Sequence, residues 1–359
     1  MRVDSRRADP VVSPRVRRLL LLALVVLVAL SVHRLWLAPD PVRIQEFVGE
    51  TMGTTYSIKV AGGLDADDLS VIRRAIGAEL SRVDRLMSNW REDSELSRFN
   101  AHASVERFDV SPDLAEVLEI SRSVSERSEG AFDVTVAPLV RAWGFGPAEE
   151  PLTSPPSSEL DALRAHVGWA LVEVEEQTLR KRDPAVEVDL SAVAKGWGVD
   201  RVSAALAGIG FTDHLVEIGG ELRASGRRPD GSIWRVAVER PGSPRREIFE
   251  VVELDARGMA TSGDYRNYYE LDGVRISHAI DPRDGRPIRH RLASVTVIHA
   301  SAAWADAWAT ALNVLGPEAG LAVSEREGLA ALFITRSADV GFDSRATPAF
   351  DSLRVERQN

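Results

Sequence analysis

Apolar residues recur at helical spacing in three long stretches of the chain. In residues 65–87 they stand three or four positions apart, at Leu69, Ile72, Ile76, Leu80, Val83 and Leu86. This spacing places them on one face of a helix, so an amphipathic helix is predicted there. Residues 111–128 predict a second helix that Ser111 caps and Pro112 begins, and residues 195–208 predict a third.

Shorter apolar stretches between turn-forming residues predict strands. They cover residues 54–60, 185–190, 214–218, 233–238, 248–254 and 328–335. Strands and helices are mixed, with several hairpin-like connections, which favours an α+β fold over a regular βαβ series. Residues 147–158 are rich in Pro and Ser and predict an exposed loop. From Ser337 onward the sequence is polar and poorly patterned.

The amino terminus combines a basic cluster with an apolar run. Three arginines within residues 15–18 precede the run 19–32, an order typical of a secretory signal or a signal anchor. The run is shorter than the ~20 residues of a spanning helix, although Arg34 can snorkel and extend it. Residues 29–31 have the small-x-small form of a cleavage site. We favour an uncleaved anchor, and in both cases the basic end stays cytoplasmic while the body is exported.

These patterns divide the chain into four expected segments. Residues 1–38 are the basic terminus with its signal or membrane anchor, 39–46 a linker, 47–336 the globular domain and 337–359 a polar tail. The chain has 359 residues, of which 44% are hydrophobic and 27% charged. That length and composition suffice for a large hydrophobic core.

Charge and cysteine content exclude several classes of function. The formal net charge is −10, although residues 1–43 carry eight Arg against three Asp, so the rest of the chain is strongly acidic. An acidic body argues against nucleic-acid binding as the main activity. The chain has no cysteine. This excludes disulfides, thiolate metal sites, Cys nucleophiles and a lipoprotein anchor on an amino-terminal Cys.

Asp306 and Thr310 are the strongest pair of candidate metal ligands. They stand four residues apart in a stretch rich in Ala and Trp. If that stretch is helical, both oxygens lie on one face, one turn apart. A carboxylate and a hydroxyl so placed can share a hard cation such as Mg²⁺. The alternative is that the aspartate only caps or pairs within the protein.

Lys195 is a candidate phosphate ligand. It is one of three lysines in a chain with 41 arginines, and it directly precedes Gly196 at a predicted strand-to-helix junction. Backbone groups at such a junction are free to bind anions or metals, and a lysine is a point charge suited to phosphate. The competing interpretation is a solvated surface lysine, which is the usual fate of this residue type.

Two aromatic-containing segments could form the wall of a site for a planar ligand. Trp90 follows the first predicted helix and could stack on a ring, or could be an ordinary aromatic side chain at a helix end. Ala131, Phe132 and Asp133 lie among small residues and suit a ligand wall or a packed turn equally. Met52 precedes a glycine that permits close backbone approach, although a plain turn accounts for that glycine as well.

Hydroxyl groups and one histidine could take part in phosphate chemistry. Thr261 and Ser262 could bind phosphate oxygens or belong to an ordinary loop. His278 stands close to an Asp-Pro turn and could act as a general base, although a lone histidine is more often structural. The double glycine at 219–220, directly before Glu221, permits tight packing or contact with a cofactor.

Taken in this order, the segments resemble those of the ApbE family, the FAD:protein FMN transferases. They are MGTTYSI from residue 52, MSNW from 87, SELSRFN from 94, GAFDVTVAPLVRAWGF from 130, VDLSAVAKGWGVD from 188, IGGELRASG from 218, ATSGDYRNYYE from 260, HAIDPRDGRP from 278 and ADAWATALNVLG from 305. Each segment is short, but the ordered set over residues 47–335 is specific. The resemblance implies an ApbE-like fold of mixed sheets with packed helices.

The resemblance also assigns roles to single residues. It implies an FAD site lined by Met52, Trp90, Ala131, Phe132, Asp133, Asp189, Lys195 and Ile280. It implies Mg²⁺ bound by the backbone carbonyl of Ala192 together with Asp306 and Thr310. It implies His278 as the candidate base and Lys195 as the residue that steadies phosphate charge. Thr261 and Ser262 would help to position the diphosphate.

The implied reaction is Mg²⁺-dependent transfer of the FMN moiety of FAD to a Thr or Ser hydroxyl, with release of AMP. The acceptors would be exported or membrane subunits of electron-transfer complexes, such as the sodium-pumping quinone reductase and Rnf complexes. We therefore expect an inner-membrane location, with the domain on the periplasmic side. The alternatives are an FAD diphosphatase that uses water and a periplasmic FAD-binding protein without catalysis. The Asp306 and Thr310 pair argues against a pure carrier.

Two residues depart from the family pattern. Trp90 stands where the family often has Tyr, so ring stacking is kept but a phenol hydrogen bond is not. Glu217 stands where Asn is common. The lipoprotein cysteine of many relatives is also missing, which is why a proteinaceous anchor is expected. None of these departures removes an implied metal or phosphate ligand.

Overall fold

The computed structural model describes residues 16, 18–24, 26–27, 43–145, 154–243, 245, 247–264, 268–271, 273–339 and 341–355. The chain separates into two units, Met1–Val42 and Arg43–Asn359. In the first unit the described residues are helical and exposed. Within the described residues, no helix combines the length and the apolar character needed to cross a bilayer. Arg34, the expected cleavage site and most of the expected Pro/Ser-rich loop lie outside the described residues.

Strands of the second unit run through most of its length. They are β1 (Arg43–Thr51), β2 (Thr54–Gly62), β3 (Phe108–Asp109), β4 (Val172–Glu175), β5 (Thr178–Lys181), β6 (His214–Ile218), β7 (Glu221–Ser225), β8 (Trp234–Glu239), β9 (Ile248–Leu254), β10 (Gly258–Gly263), β11 (Tyr268–Leu271), β12 (Val274–Ser277), β13 (Ile280–Asp281), β14 (Arg286–Pro287), β15 (Leu292–His299), β16 (Ala330–Arg336) and β17 (Phe342–Ala346). The α-helices are α1 (Ala66–Met87), α2 (Glu95–Ala101), α3 (Pro112–Arg127), α4 (Ala137–Ala142), α5 (Ser157–Arg164), α6 (Ala194–Gly208), α7 (Ala302–Arg326) and α8 (Pro348–Asp351). The predicted mixture of strands and helices is confirmed.

An antiparallel sheet with the strand order β1-β2-β6-β7-β10-β15-β16-β17 forms the centre of this unit. Side chains alternate between its two faces, as the pleat requires. One face, which includes Ile58, Val216 and Phe333, packs against α1, α6 and α7. The other face, which includes Leu215 and Met259, packs against the β8–β9 hairpin and α8.

The predicted helices are confirmed to within one residue at their starts. Asp65 caps α1 in a capping box with Asp68, which satisfies backbone N–H groups of the first turn. Ser111 caps α3, and Pro112 occupies its first turn. The third helix, α6, begins at Ala194 without a side-chain cap from its own N-cap residue. A carboxylate from another helix takes that place, as the site shows.

The predicted strand at 185–190 is wrong. Val186, Val188 and Leu190 are buried in the core, which explains the apolar pattern, but the segment has no strand partner. The side chain of Asn100 binds the segment instead. Its amide donates to the Val188 carbonyl at 2.8 Å and accepts from the Val188 N–H at 2.8 Å. One side chain therefore satisfies both backbone groups of Val188, and the Asp189 N–H donates to the Val134 carbonyl instead of to a strand.

The structure also differs from the expected linker and tail. Strand β1 begins at Arg43, inside the segment expected as a linker. After Ser337, β17 pairs with β16 at the edge of the sheet, and Phe350 of α8 is fully buried. An edge strand pairs on one side only and faces solvent, so its polar sequence does not reveal it. The remaining predicted domain boundaries stay predictions.

Candidate functional site

A cavity of about 920 Å³ brings the predicted site residues together. Its lining includes all of them except Met52 and Trp90: Ala131, Phe132, Asp133, Asp189, Ala192, Lys195, Thr261, Ser262, His278, Ile280, Asp306 and Thr310. These residues come from five distant parts of the chain. They meet because α6 and α7 pack against one face of the large sheet, where both helices contact β10.

Lys195 lies between two buried carboxylates at the start of α6. Its Nζ is 3.0 Å from Oε1 of Glu221 and 3.8 Å from Oδ2 of Asp306. The same Oδ2 accepts a hydrogen bond from the Gly196 N–H at 3.1 Å. That N–H is one of the unpaired donors of the first helical turn, so Asp306 of α7 supplies the cap that α6 lacks.

The three charges shift one another's pKa values. Burial alone would lower the pKa of Lys195, but the adjacent Asp306 and Glu221 outweigh burial and raise it. Burial raises the pKa of Glu221 to about 7, against the opposing attraction of Lys195. Burial likewise raises the pKa of Asp306, while Lys195 and the Gly196 N–H oppose that shift. The lysine is therefore firmly cationic. It lies beside two carboxyl groups, one more than a single ion pair needs.

Close packing of α6 on α7 sets this geometry. A Cβ at Gly196 would lie 2.3 Å from the Ala302 carbonyl oxygen, so only glycine fits between the helices. Asp200, one turn further along α6, fixes the start of α7. Its carboxylate accepts from the Ser301 hydroxyl at 2.6 Å and from the Ala302 N–H at 3.0 Å. Both contacts hold the first residues of α7 against α6, one turn before Asp306.

Asp133 organises the cavity wall through its own hydrogen bonds. Its Oδ1 accepts from the Thr135 N–H at 2.8 Å and from the Thr135 hydroxyl at 2.6 Å. Its Oδ2 accepts from the Trp169 N–H at 2.7 Å. Burial raises the pKa of Asp133, and these three hydrogen bonds oppose that shift. Both carboxylate oxygens hold the wall in place, so Asp133 shapes the site by fixing the backbone around Phe132.

Predicted residues on β10 and in two loops also line the cavity. Thr261 and Ser262 lie in β10 rather than in a loop, and the Thr261 hydroxyl is 2.8 Å from that of Thr296 on β15. Asp189 accepts from the Ser191 N–H at 2.8 Å and so shapes the turn before Ala192. The ring of His278 lines the cavity and meets Phe145 edge to face, at 6.3 Å between centroids.

Oxygen atoms suited to a hard cation converge near Asp306. Thr310 follows it by one turn of α7, as the spacing predicts, and both line the cavity with Ala192. Across the described ranges, no group of three or more His, Cys, Asp or Glu side chains could hold a metal ion. A cation here would therefore also need hydroxyl and backbone oxygens. Among the described residues, Oε2 of Glu221 is buried without a hydrogen-bond partner, so the site has an acceptor oxygen that the protein does not use.

Met52 and Trp90 lie outside the cavity lining. Met52 adopts a left-handed backbone conformation with φ of 49°, and a Cβ at Gly198 of α6 would lie 3.0 Å from its methyl group. Trp90 follows α1 with 77% of its surface exposed. Met52 therefore packs against α6 outside the cavity lining. Trp90 can contact a ligand only from outside that lining.

Glu221 is the site residue that the sequence did not assign. Gly219 and Gly220 have φ of 64° and 108°, which L side chains rarely adopt, and they turn the chain from β6 into β7. The turn buries Glu221 beside Lys195. The available signal was a charged residue after a double glycine at the end of an apolar strand.

Comparisons with known proteins identify the family of this chain. The model of the ApbE family matches residues 52–333. FAD:protein FMN transferase of Vibrio cholerae serotype O1 is 46% identical over 84% of this chain and 90% of its own length. The protein of the same name from Escherichia coli K12 is 40% identical, over 87% of this chain and 89% of its own.

Solved structures match as well. The flavin transferase ApbE from Vibrio cholerae superimposes with a TM-score of 0.80 at 43% identity, covering 87% of this chain and all of that one. The Pseudomonas stutzeri flavinyl transferase ApbE, in its apo form, gives a TM-score of 0.80 at 42% identity, covering 87% of this chain and 97% of its own. The resemblance predicted from the ordered segments is confirmed, and this chain belongs to the ApbE family.

Proposed function

We infer that this protein is an FAD:protein FMN transferase, which transfers the FMN moiety of FAD to a target protein. Relatives with that name share 40–46% of their residues with most of the chain. The observation that carries the inference is the cavity itself. It places a firmly cationic lysine, two buried carboxylates and a histidine around one space.

The residues of this chain would divide the work of phosphoryl transfer. Lys195, kept cationic by Glu221 and Asp306, would bind the negative oxygens of the FAD diphosphate. His278 would take the proton of a Thr or Ser hydroxyl on the acceptor. The hydroxyl oxygen forms a bond to the flavin-side phosphorus as the bond to the bridging oxygen breaks. FMN is left in a phosphoester linkage and AMP departs.

Mg²⁺ fits the donor set of the site. The carbonyl of Ala192, the carboxylate of Asp306 and the hydroxyl of Thr310 would hold it, and all three residues line the cavity. When bound, the ion neutralises phosphate charge. The partnerless Oε2 of Glu221 adds negative charge nearby.

We also propose a class of acceptor protein and a location in the cell. We expect the acceptors to be exported flavoprotein subunits of membrane electron-transfer complexes. The arginine cluster and apolar run of residues 1–38 would anchor the chain in the inner membrane with the catalytic unit in the periplasm.

Mass spectrometry of an acceptor tests the proposed reaction. The flavin-carrying domain of a sodium-pumping quinone reductase subunit, prepared without flavin, is incubated with the protein, FAD and Mg²⁺. We expect a mass gain of one FMN on the acceptor, equimolar AMP, and neither product when EDTA is present. Release of FMN and AMP without an acceptor would identify a diphosphatase. Binding of FAD with no AMP under any condition would identify a carrier.

A further inference from the structure

The cavity extends beyond the predicted FAD and metal residues, over the outer half of the large sheet. Its floor there consists of Ser57 and Lys59 of β2 with Leu215 and Glu217 of β6. Its wall is strand β8, from Arg235 to Glu239. None of these residues belongs to the set that the family resemblance implies. This region is called the outer arm below.

Strand β8 has one edge without a strand partner. Among the described residues it pairs with β9 alone, as one of two strands in a small sheet. The far edge of β9 is already occupied, because Glu253 N–H donates to the Leu353 carbonyl and Val355 N–H donates to the Val251 carbonyl, each at 3.0 Å. The unpaired edge of the hairpin is therefore the one that borders the cavity.

The hydrogen bonds of β9 show which backbone groups of β8 face the outer arm. Val251 and Glu253 direct their backbone groups away from β8, so their opposite residues, Ala237 and Arg235, form the non-hydrogen-bonded pairs of the ladder. The N–H and C=O groups of Arg235 and Ala237 consequently point into the outer arm. Within the described ranges, the backbone groups of these two residues have no hydrogen-bond partner in a loop, a turn or another strand.

Strand β1, which pairs with β2 next to this floor, has exposed apolar side chains. Ile44 and Val48 lie on the same face of β1 as Glu46, because Phe47 faces the helices. Ile44 is 39% exposed and Val48 is 69% exposed. On β8 itself, Trp234, Val236 and Val238 pack into the core. An extended segment added beside β8 would find backbone partners at its side, and the exposed apolar side chains of β1 lie further along the same face of the large sheet.

We propose that the outer arm binds the acceptor protein, as an extended segment that pairs with β8 through the backbone groups of Arg235 and Ala237. This inference rests on the proposed function, because it names how the second substrate of that reaction is held. The outer arm and the Lys195 cluster line one continuous cavity. A segment paired with β8 would therefore lead its Thr or Ser hydroxyl toward His278 without leaving the cavity.

Hydrogen exchange on the full-length protein tests the pairing directly. The probe is the flavin-carrying domain of a sodium-pumping quinone reductase subunit in which the acceptor Thr is replaced by Val, so that the complex cannot turn over. With FAD and Mg²⁺ present, adding this domain should slow exchange of the Arg235 and Ala237 amides by about tenfold. The amides of Val236 and Val238, already bonded to β9, should change little.

Three results of that experiment would overturn the inference. Unchanged exchange at Arg235 and Ala237 would mean that the acceptor binds elsewhere. Slowing by FAD alone would assign the outer arm to the nucleotide. Slowing that rises with protein concentration, or protection already present in the protein alone, would assign the edge to a second copy or to the chain's own terminus.

A proline variant supplies the kinetic test. Ala237→Pro removes the N–H that faces the outer arm but leaves the bonds between β8 and β9, because residue 237 is not in a hydrogen-bonded pair. We expect kcat/KM for the acceptor to fall about tenfold while FAD affinity stays unchanged. The matched control Ala237→Val changes the same side chain but keeps the N–H, so kcat/KM for the acceptor should fall further in Ala237→Pro than in Ala237→Val.

The kinetic outcomes separate the inference from the proposed function. Equal transfer by Ala237→Pro and Ala237→Val would overturn the pairing and leave the transferase function intact. Absence of transfer by the wild-type protein would overturn the function itself. If Ala237→Pro fails to bind FAD because it does not fold, the exchange experiment on the wild type decides the question.

Discussion

At the scale of single residues, the site depends on how one lysine is surrounded. Lys195 is flanked by Glu221 at 3.0 Å and by Asp306 at 3.8 Å, in a chain that otherwise relies on arginine. When both carboxylates are ionised, the cluster of one cation and two anions carries a net negative charge. Such a pocket suits a further cation, which would then allow the cluster to accept a diphosphate.

Asp306 is expected to be required for transfer but not for folding. Asp306→Asn keeps an acceptor for the Gly196 N–H and removes the charge that faces Lys195. FMN transfer should fall about a hundredfold or more, because charge stabilisation at phosphate is lost. Acceptor mass spectrometry measures transfer, and thermal unfolding followed by circular dichroism checks the fold. The control Asp343→Asn, on exposed strand β17, should transfer normally. Full transfer by Asp306→Asn would contradict the metal assignment.

His214 is expected to make stability fall in mild acid. It is fully buried, with one ring nitrogen 2.8 Å from the Phe211 carbonyl and the other 2.7 Å from the Ser203 hydroxyl. Burial lowers the pKa of His214, so its stabilising contribution is complete above the unfolded pKa of about 6.5 and is lost as pH falls below that value. The loss is at most about 1.4 kcal/mol per pH unit.

Urea unfolding at pH 7.5, 6.5 and 5.5 checks this expectation. The free energy of unfolding should drop more steeply toward pH 5.5 in the wild type than in His214→Gln. The pKa values of His290 and His299 are also lowered by burial, but both residues are present in both proteins. Parallel curves for the two proteins would show that His214 does not titrate in this way.

At the scale of elements, the distance between α6 and α7 decides whether the site exists. Lys195 and Gly196 are on one helix and Asp306 on the other. They meet because Gly196 lets the helix axes approach and because Asp200 binds the first residues of α7. Helix packing therefore holds Lys195 and Asp306 in register.

Gly196→Ala is expected to open this contact. The new methyl would lie 2.3 Å from the Ala302 carbonyl oxygen and 2.8 Å from Cβ of Asp306. Overpacking should cost about 1–3 kcal/mol of stability. The displaced carboxylate should lower FMN transfer about a hundredfold. Gly208→Ala, at the other end of α6, meets nothing within 4 Å and serves as the control for both measurements. Normal transfer by Gly196→Ala would show that the close approach is dispensable.

At the scale of the whole molecule, the cavity belongs to one unit. Its lining runs from Glu46 to Val314, entirely within Arg43–Asn359. If residues 1–38 form the proposed anchor, chemistry and attachment are carried by different parts of the chain.

A chain that begins at residue 43 should therefore keep its activity. We expect FMN transfer to a soluble acceptor at the wild-type rate, because strand β1 and the whole cavity remain. Fractionation of cells should find the full chain in the membrane and the shortened chain in the soluble periplasmic or cytoplasmic fraction. Membrane association of the shortened chain would locate the anchor elsewhere.

Local patterns of the sequence identified three long helices and five strands, and twelve of the predicted site residues line the cavity. The helices α1, α3 and α6 follow from apolar periodicity and caps, because those features act over a few residues. The ordered short segments identified the family. The same local reasoning failed at 185–190, where apolar burial without a strand partner imitates a strand, and at β17, where an exposed edge imitates a tail.

The sequence by itself determined the chemical groups available to this protein: a lysine beside glycine, a carboxylate and hydroxyl one helical turn apart, and no thiol. Only the tertiary structure decided which groups share a space. Glu221 reaches Lys195 across a gap of 26 residues, and Gly196 reaches Asp306 across 110. Residues 353–355 likewise occupy the far edge of β9, so that within the described residues the open edge of the hairpin is that of β8. Such contacts arise from packing of separate elements, which no local pattern encodes.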